Sequence, residues 1–348
     1  MSWIEGLKTT SIKFSMTNYT ADSILSYNEM LALFQAISLE GITSNEFSDL
    51  QSIYTNSTDL FANNYVKTIS YNVIYGHSSN QVWTGGVTSA AQTKTLGNMT
   101  VGTSAQNAKW LVDKWFLGLD LPMPIGNGDT ATGETSLAFY SYAMSTGSFG
   151  TPEAADVYQG SLGSCYLLAA LGSIAYSAPQ YIENAVIDNG NGTYGVRFFS
   201  GGQEIWTTVN LSLPVDPNGR IAFASANWSR SLSGENWVSL FEKAYAQVGR
   251  TQFTGEYSFL SISGGTAGPL NQITGLDYNY YSSAYTSYYY KVPASAKQEF
   301  INLLSQGSIG WLASSGKTYD SENGNVNFVP GHAFMLLGYN AATDKFII

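Results

Sequence analysis

The chain has 348 residues, 15 Lys and Arg against 25 Asp and Glu, a formal net charge of −10 and 44% hydrophobic residues. This length buries a large core and accommodates two domains, while the acidic balance excludes the clustered Lys and Arg of a nucleic-acid binder. The single cysteine excludes an internal disulfide and leaves the redox compartment open. The first twenty residues lack a basic start followed by an apolar run, and no segment approaches the length of a transmembrane helix, so a soluble protein is expected. Richness in Ser, Thr, Asn, Gly and Tyr slightly favours an exported bacterial protein over a cytoplasmic one.

Residues 1 to 20 are polar without a clear period and read as a tail or an edge strand. Apolar residues at helical spacing predict three helices. The first lies within Ser23 to Ile37 (Leu25, Met30, Leu33, Phe34, Ile37), and the second within Ser44 to Tyr54 behind a Thr43 or Ser44 cap. The third lies within Ser104 to Leu117 and ends before Gly118 and Pro122. His77, in a polar run, reads as a surface-loop histidine. Residues 1–125 are therefore expected to form a small, mostly helical domain with exposed aromatic positions such as Trp110. Residues 126–150, rich in Gly, Thr and Ser, read as a flexible linker. Packing on the neighbouring domain is the favoured role of the helices, beside targeting of a partner or inhibitory covering of a cleft.

The centre of the sequence is Gln159-Gly160-Ser161-Leu162-Gly163-Ser164-Cys165 followed by the apolar run Tyr166 to Tyr176. A helix over that run would be buried on all faces. Ser164 as N-cap puts Cys165 in the first turn, where unpaired N–H groups and the positive end of the helix dipole favour negative charge. Gln159 is placed to turn its amide back toward an oxyanion formed at the sulfur. The block resembles the active-site segment of calpain-type cysteine peptidases of papain-like fold, with Ser164 and Tyr166 where calpains commonly carry Asp and Trp.

Two strands are expected at Gly192 to Phe199 and Glu204 to Val209, introduced by the turn Asn189-Gly190-Asn191-Gly192. An amphipathic helix follows over 236–248, and its Trp237-x-x-Leu-Phe-Glu242-Lys243-Ala244-Tyr245-Ala246 resembles a second calpain block with a packing role. Gly264 and Gly265 match a Gly-Gly that in the resembled family lines the cleft beside the substrate. The last third is strand-like at Tyr285 to Val292, Gly310 to Ser314 and Ala333 to Tyr339, with a helix near Ala294 to Ser305. A thiolate nucleophile needs a base, and His332, in Gly331-His332-Ala333 at the start of an apolar strand, fits that role where His77 does not. Gly331 is counted with Gly264 and Gly265 on the substrate side.

The fold class is thus α+β. A papain-like two-lobed peptidase over 151–348, helical lobe first and β lobe second, follows the helical domain and the linker. The resemblance implies an Asn that orients the imidazole on the strand returning after the His332 strand. That position falls beyond Ile348, so the chain reads as lacking its C-terminal end and its third triad residue. Asp156 and Glu235 match two acidic ligands of a calcium site in calpain cores, and Ca²⁺ accepts oxygen ligands from separate loops; no cofactor is required for the chemistry itself. The reading is a cysteine endopeptidase acting on polypeptide substrates. The alternatives are an acyltransferase of transglutaminase type using the same Cys and His, and a calpain-like module that binds polypeptide without cutting it. Oligomeric state is not legible.

Overall fold

The computed structural model describes residues 2–126, 137–250, 255–265, 268–277, 284–286, 289–291, 294–314, 329 and 331–348. Five helices lead the chain: α1 (Thr10–Tyr19), α2 (Tyr27–Ile37), α3 (Ser44–Asn56), α4 (Asn64–Ile74) and α5 (Ala105–Trp115), with a short pair of strands, β1 (Val82–Trp83) and β2 (Lys94–Thr95), before α5. Capping boxes start α2 (Ser26 with Glu29) and α3 (Thr43 with Glu46), each satisfying two otherwise orphaned N–H groups. The tail or edge strand expected over 1 to 20 is instead largely helical. Ile12 and Met16, four apart on one face of α1, are buried, and that pair outweighs the polar residues around them. The sequence reading passed over α4, although Tyr65, Val66, Ile69 and Val73 give it an apolar face behind an Asn63 cap.

Strands β3 (Ile125–Gly126) and β4 (Ala138–Phe139) pair, and β5 (Ser141–Met144) follows. Of the expected linker, residues 127–136 lie outside the described residues. Residues 137–150 are woven into the fold: β5 pairs with β9 (Ser212–Val215), and the Tyr142 hydroxyl donates to the Pro122 carbonyl at 2.6 Å. Next come α6 (Cys165–Ser177), α7 (Gln180–Glu183) and the antiparallel sheet β6 (Val186–Asp188), β7 (Thr193–Ser200), β8 (Gln203–Asn210). The chain continues through α8 (Trp237–Val248), α9 (Pro269–Thr274), β10 (Ala284–Thr286), β11 (Tyr289–Lys291) and α10 (Ala294–Ser305) to β12 (Gly310–Ala313), β13 (Ala333–Leu336), β14 (Gly338–Asn340) and β15 (Lys345–Ile347). β12 pairs with β13 and β14 with β15. Of the strand expected over Tyr285 to Val292, residues 287, 288 and 292 lie outside the described residues.

The β7–β8 ladder explains why the N-terminal helices belong to the fold. Successive strand residues point to opposite faces, and the register sets Tyr194 against Val209, Val196 against Thr207 and Phe198 against Ile205. These six face α6 and α8: Tyr194, Val196, Phe198, Val209 and Ile205 belong to or pack on that core, and Thr207 bonds Gln247 of α8. The alternate pairs, Gly195 with Thr208 and Arg197 with Trp206, face the other way. There Trp206 joins the core of the N-terminal helices, Thr208 bonds Tyr65, and the Tyr65 ring lies where a Cβ on Gly195 would be. Both faces of the sheet are therefore covered, and the sheet stands between α2, α4 and α5 on one side and α6 on the other. His77, expected on the surface, is half-buried at this seam. Its ring meets Trp115 edge-on at 5.1 Å, and burial pushes its pKa down to about 4. Trp110 is also half-buried, stacked on Trp83.

Candidate active site

Helix α6 is buried from Tyr166 to Ala175, and Cys165 at its first position is partly exposed. A helix that closed off leaves its N-terminal end as the natural place for a reachable group, and the first N–H groups there have no intrahelical acceptor. Ser164 occupies the cap position, but its hydroxyl caps no helix N–H. It donates instead to Glu242 Oε1 at 2.6 Å, and the Ser164 carbonyl takes the N–H groups of Leu167 and Leu168.

The approach to Cys165 is an extended segment laid against residues 222–225. Tyr158 and Ser225 exchange both backbone bonds at 3.0 Å, and Ser161 N–H donates to the Ala222 carbonyl. Gly160 sits where a Cβ would collide with the backbone of Ala222 and Phe223, so this close approach requires glycine. Gln159 is exposed, and its Nε2 donates to the Leu162 carbonyl at 2.8 Å.

A second loop is pinned beside the first. Gly264, at φ +73°, donates its N–H to the Gly163 carbonyl at 2.8 Å. The Tyr166 hydroxyl donates to the Ile262 carbonyl and Arg250 Nη1 to the Ser263 carbonyl, both at 2.9 Å. Gly265 lies where a Cβ would strike the Tyr166 ring. The structure thus brings Gly264 and Gly265 to the segment that carries Cys165, and the Tyr at 166 supplies a hydroxyl that a Trp would lack.

His332 precedes β13, after Gly331 at φ +59°. Its backbone is held on both sides by Ser314: the Ser314 N–H donates to the His332 carbonyl at 2.8 Å, and the His332 N–H donates to Ser314 Oγ at 3.0 Å. The ring packs edge-on against Phe334 at 5.0 Å, and partial burial lowers its pKa below the ordinary imidazole value. β13 lies along α6: Met335 fills the space over Gly172, and the Leu336 N–H donates to Ser173 Oγ at 3.1 Å. No hydrogen bond joins the Cys165 sulfur to the His332 ring.

Asp156 reaches the first residue of α8, and Glu235 lies two residues before that helix. Asp156 Oδ2 accepts from Trp237 Nε1 at 3.1 Å, and the Glu235 carboxyl lies against the backbone of Gly150. Among the described residues no group of three or more His, Cys, Asp and Glu stands together as a metal site. The two side chains alone fall short of the six to eight oxygens that Ca²⁺ takes.

Sequence reading missed Glu242. Every residue of α8 is buried, Glu242 and Lys243 included, so the helix is not the one-sided amphipath expected. Lys243 Nζ is satisfied by the Asn210 and Ser212 carbonyls and by Asn210 Oδ1, and burial drives its pKa well down. The available signal was two adjacent charges in a helix otherwise dominated by Trp, Leu, Phe, Tyr and Ala.

Among the described residues no helix is long and apolar enough to cross a membrane. Residues 144–346 match the family described as "Calpain family cysteine protease". The chain is 34% identical over 102 residues to the calpain-type cysteine protease ADL1 of Oryza sativa subsp. japonica, a match covering 28% of this chain and 4% of that protein. It is 29% identical over 194 residues to the calpain-1 catalytic subunit of Homo sapiens, covering 53% of this chain and 24% of that one. The chain therefore spans less than a quarter of the length of these relatives. The family match runs through both the cysteine helix and the histidine strand and takes in more than half of the residues, and on that ground the chain belongs to the calpain family of cysteine proteases.

Proposed function

We propose that the chain is a cysteine endopeptidase in which Cys165 is the nucleophile and His332 the base. The observation that carries this reading is the seating of β13 along α6. From Ser173 back to Cys165 is eight helical residues, about 12 Å, and from Leu336 back to His332 is four strand residues, about 13 Å. Starting from the Ser173–Leu336 bond, the two paths are nearly equal in length, as a Cys165–His332 pair at their ends requires. The lowered pKa of His332 supports a ring that is neutral near pH 7 and able to accept a proton.

In this mechanism His332 takes the thiol proton and the sulfur attacks the carbonyl carbon of an extended polypeptide. The oxyanion is held by the Cys165 N–H and by Gln159. The Gln159 amide has two N–H donors; one goes to Leu162, which orients the group, and the other serves the oxyanion. The C–N bond breaks as His332 returns its proton to the leaving amine. Water, deprotonated by His332, then cleaves the thioester and restores the thiol. Gly264 and Gly331, where a Cβ would meet nothing within 4 Å, leave room for the substrate backbone, and Gly265 lets its loop pack closely on the Tyr166 ring. Calcium would be held by Asp156 and Glu235 and would supply charge neutralisation and assembly, not chemistry.

Cys165→Ala and His332→Ala in the whole chain are each expected to reduce casein hydrolysis to background. Either variant cutting at the parental rate overturns the reading. An amine-incorporation assay run beside it separates hydrolysis from acyl transfer, and a parent that cuts nothing while binding casein points to a binding module. A rise in melting temperature with Ca²⁺ that Asp156→Asn abolishes supports the ion; its absence removes calcium and leaves the chemistry standing.

A further inference from the structure

We propose that Glu242 is a positioning residue for hydrolysis, fixing the two oxyanion donors against each other through one buried carboxyl group; this rests on Cys165 being the nucleophile. Each oxygen of that carboxyl holds a different part of the apparatus. Oε1 accepts the Ser164 hydroxyl at 2.6 Å, which ties down the peptide unit that ends in the Cys165 N–H. Oε2 accepts the Ala224 N–H at 2.8 Å, and one turn earlier on α8 the Ser239 hydroxyl donates to the Ala224 carbonyl at 2.7 Å. Ala224 lies in the segment paired with 158–161, which carries Gln159. The Cys165 donor and the Gln159 donor thus reach the same side chain by separate short paths.

Glu242, Ser164 and Ala224 are all buried, so nothing in solvent replaces these bonds when they are lost. Glu242 also directs the Ser164 hydroxyl away from the helix N–H groups that a cap serine ordinarily satisfies. With the Leu167 and Leu168 N–H groups taken by the Ser164 carbonyl, the Cys165 N–H is the first-turn donor kept for a substrate oxygen. Burial pushes the Glu242 pKa up to about 7. A neutral side chain of the same shape should then do much of the same work: in Glu242→Gln the amide oxygen can accept from Ala224 and the amide nitrogen can donate to Ser164.

The test compares Glu242→Leu, Glu242→Gln and Ser164→Ala in the whole chain, reading kcat and KM on casein-derived peptide, iodoacetamide alkylation of Cys165, and melting temperature. Displacing an oxyanion donor acts in the transition state, so Glu242→Leu should lower kcat about 10- to 100-fold with KM within about twofold. Alkylation, which forms no oxyanion, should stay within about threefold of the parent. Glu242→Gln should recover most of the lost kcat. Ser164→Ala should lower kcat by about 5- to 10-fold and add little in the Glu242→Leu background. A purely structural role would lower the melting temperature and leave kcat of the folded fraction intact. If Glu242→Leu does not fold, Ser164→Ala decides: parental kcat in that variant, with normal alkylation, overturns the proposal alone. Full activity in Cys165→Ala would instead remove the nucleophile and this inference with it.

Discussion

Two parts of the chain dock on the core that carries Cys165, and they are held differently. The N-terminal helices meet the sheet through buried polar bonds, and a buried ion pair within their own region lies beside that seam. Tyr65 Oη and Thr208 Oγ1 are hydrogen-bonded at 2.8 Å, and Thr208 Oγ1 donates to the Trp115 carbonyl. Lys114 pairs with Asp120 with both side chains fully buried, and its ammonium lies 3.5 Å over the Tyr257 ring. The strands that carry His332 form two-stranded ladders with largely half-exposed or exposed side chains, and their described bond to α6 is Leu336 to Ser173. Two-stranded ladders are marginal by themselves. The difference assigns the N-terminal helices to the stability of the whole and leaves the placement of His332 to the packing of β12 and β13 on α6. A change on the first side should cost folding, and a change on the second should cost activity first.

Asp120→Ala is the strongest way to break this comparison. It leaves the Lys114 ammonium buried without its partner and removes the acceptor for the N–H groups of Thr84 and Gly85. Removing one member of a buried pair costs about 3–5 kcal/mol. The urea midpoint should fall in a single cooperative step seen by tryptophans on both sides of the sheet. If the helices melt alone and casein cleavage persists, the helices are an appendage after all.

The next largest effect is in pH, with opposite signs at the seam and in the core. The unfolded His77 ring takes its proton near 6.5 and the folded one only near 4, so between these values the unfolded state binds more protons. Its contribution is present above 6.5 and is lost as pH falls through about 4. Glu242 runs the other way. Its folded pKa of about 7 exceeds the reference 4.5, so its contribution is full below 4.5 and is lost as pH rises through about 7. Each amounts to at most about 3 kcal/mol. Stability measured from pH 4 to 8 should lose its acid-side fall in His77→Asn and its neutral-side fall in Glu242→Gln. A curve unchanged by either substitution shows that these groups are not buried as described.

On the other side of the comparison, Gly172→Leu puts a side chain into the space that Met335 occupies. Met335 is flexible, so the cost in stability should be about 1–3 kcal/mol, the usual range for overpacking. Casein cleavage should fall far more than that implies, because β13 must lift from α6 and carries His332 with it. Met335→Ala in the same chain should restore part of the rate. Equal losses of stability and activity would mean that the seat of β13 is as rigid as the N-terminal seam.

What was legible in the sequence follows from the same division. The α6 run, the β7 and β8 strands and the His332 strand are long or strongly patterned, and the structure has them where the spacing put them. Local pattern says nothing of a strand's second face, so Trp206 and Thr208 gave no warning that helices far earlier in the chain would cover them. His77 looked like a loop residue because its cover, Trp115, is remote in sequence. In the site, Cys165 and its Gly-rich approach were readable as one segment. The roles of Ser164 and Glu242 were not, since the bond between them joins positions 78 residues apart. A cap serine is read by default as serving its own helix.

The smallest effect concerns the hydrogen bond that joins β13 to α6 among the described residues. Ser173 is fully buried, and its hydroxyl accepts the Leu336 N–H at 3.1 Å. Ser173→Ala keeps the volume nearly unchanged and leaves that N–H without an acceptor. The loss should be about 1 kcal/mol in the urea midpoint. Because the bond lies at the far end of β13 from His332, the strand can pivot about its pairing with β12, and the ring shifts without unfolding. Activity should therefore drop by more than the stability loss predicts, while the alkylation rate of Cys165 holds, since the sulfur sits eight residues away on a helix that has not moved. Ser173→Thr, which restores a hydroxyl but adds a methyl group against β13, should recover the bond less well than the parent and better than Ala. If Ser173→Ala lowers alkylation and cleavage together, the disturbance has travelled along α6, and the two docked parts do not divide folding from activity.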